Sequence, residues 1–194
     1  MSEHMALENL TVLDLTRVLA GPFCTMMLAD MGANVIKIEV PKGGDDTRTY
    51  PPFRAKNLNG ERESVYFANI NRNKKGITLN LKAPEGKEIF KELVKKADIV
   101  VENYRPGVMD KLGLGYDVLK EINPRIIYAA VSGFGCYGPY HLRPGYDILA
   151  QAMGGMMSIT GSKGGEPTRA GSALGDILGG LHVTIGILAA VNAR

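Results

Sequence analysis

An open, Rossmann-like parallel sheet with helices on both faces, in the α/β class, is the fold this sequence predicts. Two observations lead there. Strand-like and helix-like apolar patterns alternate along the chain, as they do where strands are joined by crossover helices. Residues 125–131 are almost all apolar, which suits a strand in the centre of a parallel sheet, covered on both faces.

The elements follow in order. Residues 11–15 form a first short strand. Gly21 and Pro22 then start a helix, with proline in its first turn, and Gly32 stops it. Residues 34–40 are a second strand. The stretch 41–64 is rich in Pro, Gly, Asn and charge and is a long loop, a kind more often functional than idle. A third strand spans 77–81 and leads into a helix over 84–96. In that helix Ile89, Phe90, Leu93 and Val94 recur at helical spacing. Residues 98–102 make a fourth strand, short helices fall near 108–112 and 116–122, and 125–131 is the fifth strand. Helical pattern returns over 146–157 and again over 177–194. The last helix reaches Arg194 without a stop signal, so a continuation of the chain is expected. In a sheet of this kind ligands bind at the carboxyl ends of the strands.

Composition narrows the function. The 194 residues are 45% hydrophobic and 22% charged, which excludes a disordered or collagen-like chain. A net charge of +3 suits a phosphorylated small molecule and gives no argument for nucleic acid. Cys24 and Cys136 lie far apart and match no zinc or redox spacing, so a reducing cytoplasm is expected. Residues 1–8 carry Glu3 and Glu8 and no apolar run, hence no signal peptide is expected. The apolar stretch 177–193 includes His182, Asn192 and three glycines. It falls short of the ~20 residues a membrane span needs, so a buried helix is expected and no membrane.

Several motifs carry both a chemical and a structural reading. Gly133, Gly135 and Gly138 match a dinucleotide fingerprint after a strand, yet Pro139 follows and no helix resumes until about Tyr146. Without a helix N-terminus to face a pyrophosphate, a nicotinamide cofactor is not expected. A glycine-rich approach for another ligand stays open. No phosphate-binding Walker motif and no nucleophile elbow occurs. His4, His141 and His182 are scattered, so no metal is expected. Arg72, Lys74 and Lys75 sit just before the third strand, as a solvated turn or as a phosphate clamp. Asp176 stands directly before the last apolar helix. It is an N-cap or a nucleophilic carboxylate between glycines.

The order of segments resembles the class III CoA-transferases, the family of formyl-CoA:oxalate and carnitine CoA-transferases, whose fold relatives include α-methylacyl-CoA racemases. Residues 12–22, 32–39, 71–75, 97–107, 144–147 and 173–176 carry the likeness, which covers nearly the whole chain. The resemblance implies that residues 1–194 are the N-terminal part of a CoA-binding large domain. It implies transfer of CoA from an acyl-CoA to a small carboxylic acid in an interlocked homodimer, without metal or redox cofactor.

Under the same resemblance Asp176 matches the catalytic aspartate, which carries CoA as a covalent thioester, with the helix dipole keeping it ionised. CoA-contacting positions fall on Leu19 and Ala20, on Leu79, Asn80, Leu81 and Lys82, on Asn103, Tyr104 and Arg105, on Lys111, and on the loop from Arg143 to Tyr146. The family's arginine after the second strand is replaced by Val40, with Lys42 as a possible substitute. The racemases carry His where this chain has Tyr146, and a phenol is a poor proton shuttle near neutral pH, which favours transfer. Racemisation, and a truncated, non-catalytic CoA-binding module, remain the alternatives.

Overall fold

A computed structural model describes residues 4–54, 60 and 62–194. Residues 55–59 and 61, within the predicted loop 41–64, lie outside the described residues, as do residues 1–3.

Five parallel strands form one sheet in the order β3-β2-β1-β4-β5. They are β1 (Thr11–Asp14), β2 (Asn34–Glu39), β3 (Lys75–Thr78), β4 (Ile99–Glu102) and β5 (Ile127–Ala130). The helices are α1 (Ala20–Asp30), α2 (Val65–Ile70), α3 (Pro84–Val94), α4 (Val108–Leu112), α5 (Tyr116–Ile122), α6 (Asp147–Met153) and α7 (Leu174–Ala193). Short 3-10 turns span Asp46–Thr49 and Met156–Ile159.

Strand alternation divides the core into two layers. Val12, Val35, Ile99 and Val101 point to one face and pack with Cys24 and Leu28 of α1 and Ile187 of α7. Leu13, Ile38 and Val100 point to the other, against Phe90 and Val94 of α3 and Leu119 of α5. The chain therefore winds in both directions from β1, and the strand order reverses between β1 and β4. Where order reverses, the loops leaving two adjacent strands diverge and open a crevice.

Three expectations need correction. The third strand sits earlier than 77–81, because Ile36–Glu39 of β2 register with Lys75–Thr78. Its residues are exposed, as at an uncovered edge. The fifth strand is not central: β5 lies at the opposite edge, half-buried, despite its apolar run. Its alternate residues serve both layers, with Ile127 and Ala129 on the α1/α7 side and Tyr128 on the other. Helix α2, which no expectation covers, begins right after the predicted loop at Ser64, whose hydroxyl accepts from Phe67 N at 3.2 Å. Lastly, α7 is not a buried helix. Its 20 residues are long and apolar enough to cross a membrane by length and composition, but it packs on α1, α6 and β5. Only Gly180, Thr184 and Ile187 are buried in it, along one stripe. At its end Arg194 pairs with Asp98 at 2.7 Å.

The cations of the 71–75 run divide, with Arg72 and Lys75 exposed at the turn and the Lys74 side chain directed inward. Lys74 is buried and its ammonium reaches Asp14 Oδ2 (3.0 Å), Pro22 O (3.0 Å) and Asn71 Oδ1 (2.9 Å). Arg72 pairs with Asp30 of α1, and Lys75 donates to Asn34 Oδ1 at 2.6 Å. They bolt the approach to β3 onto β1, β2 and α1.

Candidate active site

A cleft of about 380 Å³ opens at the carboxyl ends of β1 and β4, where the strand order reverses. The loop after β1 contributes Arg17, Val18, Leu19 and Ala20, and the loop after β4 contributes Asn103, Tyr104 and Arg105. Beyond β5 come Ser132 and Gly133, then Arg143 to Tyr146, and the start of α7 adds Gly175 and Asp176. Leu19, Ala20, Asn103, Tyr104, Arg105, Arg143, Tyr146 and Asp176, far apart in sequence, thus share one cavity.

The other positions lie elsewhere. Leu79 and Leu81 pack into the core after β3, Leu81 buried. Asn80 and Lys82 are exposed at that same turn, where Asn80 Oδ1 accepts from Lys82 N at 3.1 Å. Lys111 is exposed on α4. Val40 is exposed, and Lys42 stands close by with φ +58°.

Asp176 is not an N-cap. Ala173 occupies that position, without a side-chain cap, and Asp176 is the third residue of α7. The free N–H of Gly175 is taken instead by Asp147 Oδ1, at 2.7 Å, from the first residue of α6. Asp147 Oδ2 accepts from Gln151 Nε2 at 2.8 Å, and Gln151 Oε1 accepts from Ala170 N at 2.8 Å. Asp176 is left half-buried in the cleft wall, with no hydrogen bond or ion pair among the described residues. Burial pushes its pKa up, and the nearby Asp147 carboxylate adds to the shift. These two effects oppose the helix dipole, which favours the ionised form in a first turn.

Tyr66, on α2, does not line the cleft but stands near it. Burial raises its phenol pKa, and the charge of Asp176 is the next cause, so the two groups lie within electrostatic reach. Ser132 is an addition to the lining: its Oγ is buried at the cleft with no hydrogen-bond partner among the described residues. A lone serine at a strand end carries no signal in sequence. Asp147 does carry one, an acidic residue opening a helix.

Of the fingerprint glycines, Gly133 serves a backbone crossing, while Gly135 and Gly138 take positive φ with open space around them. A Cβ on Gly133 would lie 2.2 Å from Gly145 Cα, and the converse holds equally. The two chains touch where no side chain fits, closing the lobe between them. Within it Arg143 stacks over the Tyr140 ring (4.1 Å), and Phe134 meets that ring edge-on at 5.8 Å. No helix begins until Asp147. A second close approach sets α7 against α1: a Cβ on Gly180 would lie 2.5 Å from Ala20 O. Among the described residues no cluster of His, Cys, Asp or Glu could hold a metal ion.

Fold and cleft define a class: a doubly wound α/β domain whose crevice, at the switch point, holds a carboxylate unpaired among the described residues. The chain belongs to CoA-transferase family III, whose profile matches residues 7–194. It is 52% identical to an acyl-CoA transferase of Fusarium pseudograminearum, over 100% of this chain and 43% of that protein. It is 50% identical to the acetyl-CoA:oxalate CoA-transferase of Acetobacter aceti, over 96% of this chain and 47% of that protein. A crystal structure of a CaiB/BaiF family protein from Brucella suis superposes with a TM-score of 0.94 at 46% identity. The match covers 99% of this chain and 50% of that one. The chain spans about half the length of the relatives it matches.

Proposed function

We propose that the protein to which this chain belongs moves CoA from an acyl-CoA to a small carboxylic acid, with Asp176 as the nucleophile. One observation carries the reading most: a carboxylate without partner among the described residues, half-buried in the switch-point cleft, with its pKa raised by burial and by Asp147. Family membership supports the CoA thioester as substrate.

In this mechanism a carboxylate oxygen of Asp176 attacks the thioester carbonyl. The C–S bond breaks, CoA leaves as thiolate, and a mixed anhydride remains. The thiolate then attacks the aspartyl carbonyl of the anhydride and releases the original acyl group as a carboxylate, leaving an aspartyl-CoA thioester. The acceptor carboxylate reverses these steps and restores Asp176. Each half is an acyl exchange between groups of similar energy, so one difficult transfer becomes a sequence of easier ones. No proton is gained or lost, so the scheme needs no imidazole.

Arg17, Arg105 and Arg143 at the cleft rim are suited to the CoA phosphates, which guanidinium groups bind in bidentate fashion. Leu79, Asn80, Leu81, Lys82 and Lys111 extend the proposed CoA path away from the cleft, and an interlocked homodimer is part of the same proposal. Racemisation is the second reading; Tyr146, 68% exposed, is the phenol in the position where it would need a base.

Incubation with an acyl-CoA and hydroxylamine, followed by peptide mass mapping, tests the scheme. A hydroxamate on Asp176 is the expected product. Deuterium at the α-carbon of recovered acyl-CoA in heavy water, with Asp176 unlabelled, would favour racemisation instead.

A further inference from the structure

Val18 has φ +67°, a left-handed conformation that a β-branched residue rarely adopts. Such strain persists only where the surroundings over-determine it, and here they do. Every backbone polar group from Thr16 N to Val18 N is gripped by a side chain. Thr16 N donates to Asp14 Oδ1 (2.9 Å), and Lys37 Nζ donates to Thr16 O (2.8 Å). Asn103 holds both groups of Arg17. Val18 N donates to Asp45 Oδ1 (3.3 Å).

Two of these grips form a buried ion pair. Lys37 Nζ lies 3.0 Å from Asp45 Oδ2, with side chains 2% and 0% exposed. Asp45 is itself fixed, since Oδ1 also accepts from Thr47 N and Oγ, and its own N donates to Glu39 Oε2 at 2.8 Å. Breaking a buried pair by removing one partner is strongly unfavourable, so the pair resists the relaxation that Val18 would otherwise undergo. The next two residues, Leu19 and Ala20, line the cleft that holds Asp176.

We propose that Lys37 and Asp45 are positioning residues for the CoA site. Their buried pair locks Val18 in the left-handed conformation and so presents Leu19 and Ala20 to the cleft. The inference rests on the CoA reading above. Neither residue lines the cleft, and the sequence reading gave neither a role.

The test is calorimetric titration with CoA, alongside hydrogen exchange at the Val18 amide. Asp45→Asn keeps the acceptor for Val18 N and removes the charge. It should speed exchange at that amide and weaken CoA binding by about tenfold. Glycine has no penalty at φ +67°, so Asp45→Asn combined with Val18→Gly should regain most of the affinity while its melting temperature stays low. A purely structural pair predicts no such rescue. Should Asp45→Asn not fold, Lys37→Met with Asp45→Asn leaves no uncompensated buried charge and carries the same comparison with and without Val18→Gly. Variants that bind CoA as the wild type does, or a double variant that is not rescued, overturn the proposal. Wild-type protein that ignores CoA overturns the CoA reading itself, and the positioning role with it.

Discussion

The carboxamide of Asn103 grips the peptide of Arg17 from both sides: its Oδ1 accepts from Arg17 N at 2.8 Å, and its Nδ2 donates to Arg17 O at 2.7 Å. The two residues follow adjacent strands at the reversal of the sheet. One side chain therefore sets the width of the crevice between them. Asn103→Ala removes both bonds, each with a net value of about 1 kcal/mol. The melting temperature should fall by about 4–8 °C, and CoA affinity by about tenfold, read by thermal melts and calorimetry. Asn103→Asp can restore only the acceptor half.

Asp176 costs the fold stability at neutral pH, because burial and the neighbouring Asp147 disfavour its charge. Its raised pKa means that the folded protein holds the proton more tightly than the unfolded chain. The stability it contributes is therefore present below the unfolded carboxylate value and lost as pH rises through the folded one. Asp176→Asn should consequently melt about 1–3 °C higher at neutral pH while forming no adduct with acyl-CoA. Normal turnover in that variant would refute the assignment of the nucleophile.

Asp147 raises the pKa of Asp176 by its charge and holds Gly175 N by a hydrogen bond. Asp147→Asn keeps an acceptor for that N–H and removes the charge. The acid limb of adduct formation at Asp176 should then move to lower pH, with the amplitude at neutral pH retained. Asp147→Ala should move the limb likewise and also lower the amplitude, because the turn bearing Asp176 loses its tether.

Acid should unfold the β1–β2 side of the sheet. Burial pushes the carboxyls of Asp14 and Asp45 up, but Lys74 and Lys37, with threonine donors, outweigh it and hold both below the ordinary value. The stability from these groups is present above the unfolded value of about 4 and is lost as pH falls through the depressed folded values. Urea titrations should give a constant contribution from them between about pH 5.5 and 7, and a steep loss below about pH 4. Asp14→Asn should start lower and fall less.

Gly133→Ala or Gly145→Ala places a methyl where backbone already stands. Either change should open the 134–144 lobe, exposing it to limited proteolysis and weakening CoA binding, with far-ultraviolet circular dichroism nearly unchanged. A protease pattern identical to wild type would show that the crossing tolerates separation.

Much of the fold is legible because it depends on local alternation. The period of apolar residues marks β1, β2, α3 and β4 within a residue or two, since each buries one face against a neighbour. Where burial is unequal the signal fails. The exposed β3 edge shifts toward Lys75 because its pairing with β2 sets the register. Helix α2 rests on the Ser64 cap, with Val65 and Ile70 too few to show a period. The end of β5 looks central because its apolar run serves two layers while the strand itself stands at an edge.

The sequence by itself determined the alternation of strands and helices, the acidic residue at the start of the last helix, and the likeness that defines the family. Those are properties of near neighbours in the chain, governed by backbone geometry and side-chain period. Only the tertiary structure decided what the charges do. Lys74, in a run that looks solvated, lies buried on Asp14. Lys37, in the middle of an apolar strand, meets Asp45 beneath Val18. Asp147 rather than Asp176 caps α7. A charge in low-dielectric surroundings must find its partner in space, and that partner is fixed by how the strands and helices pack, not by distance along the chain.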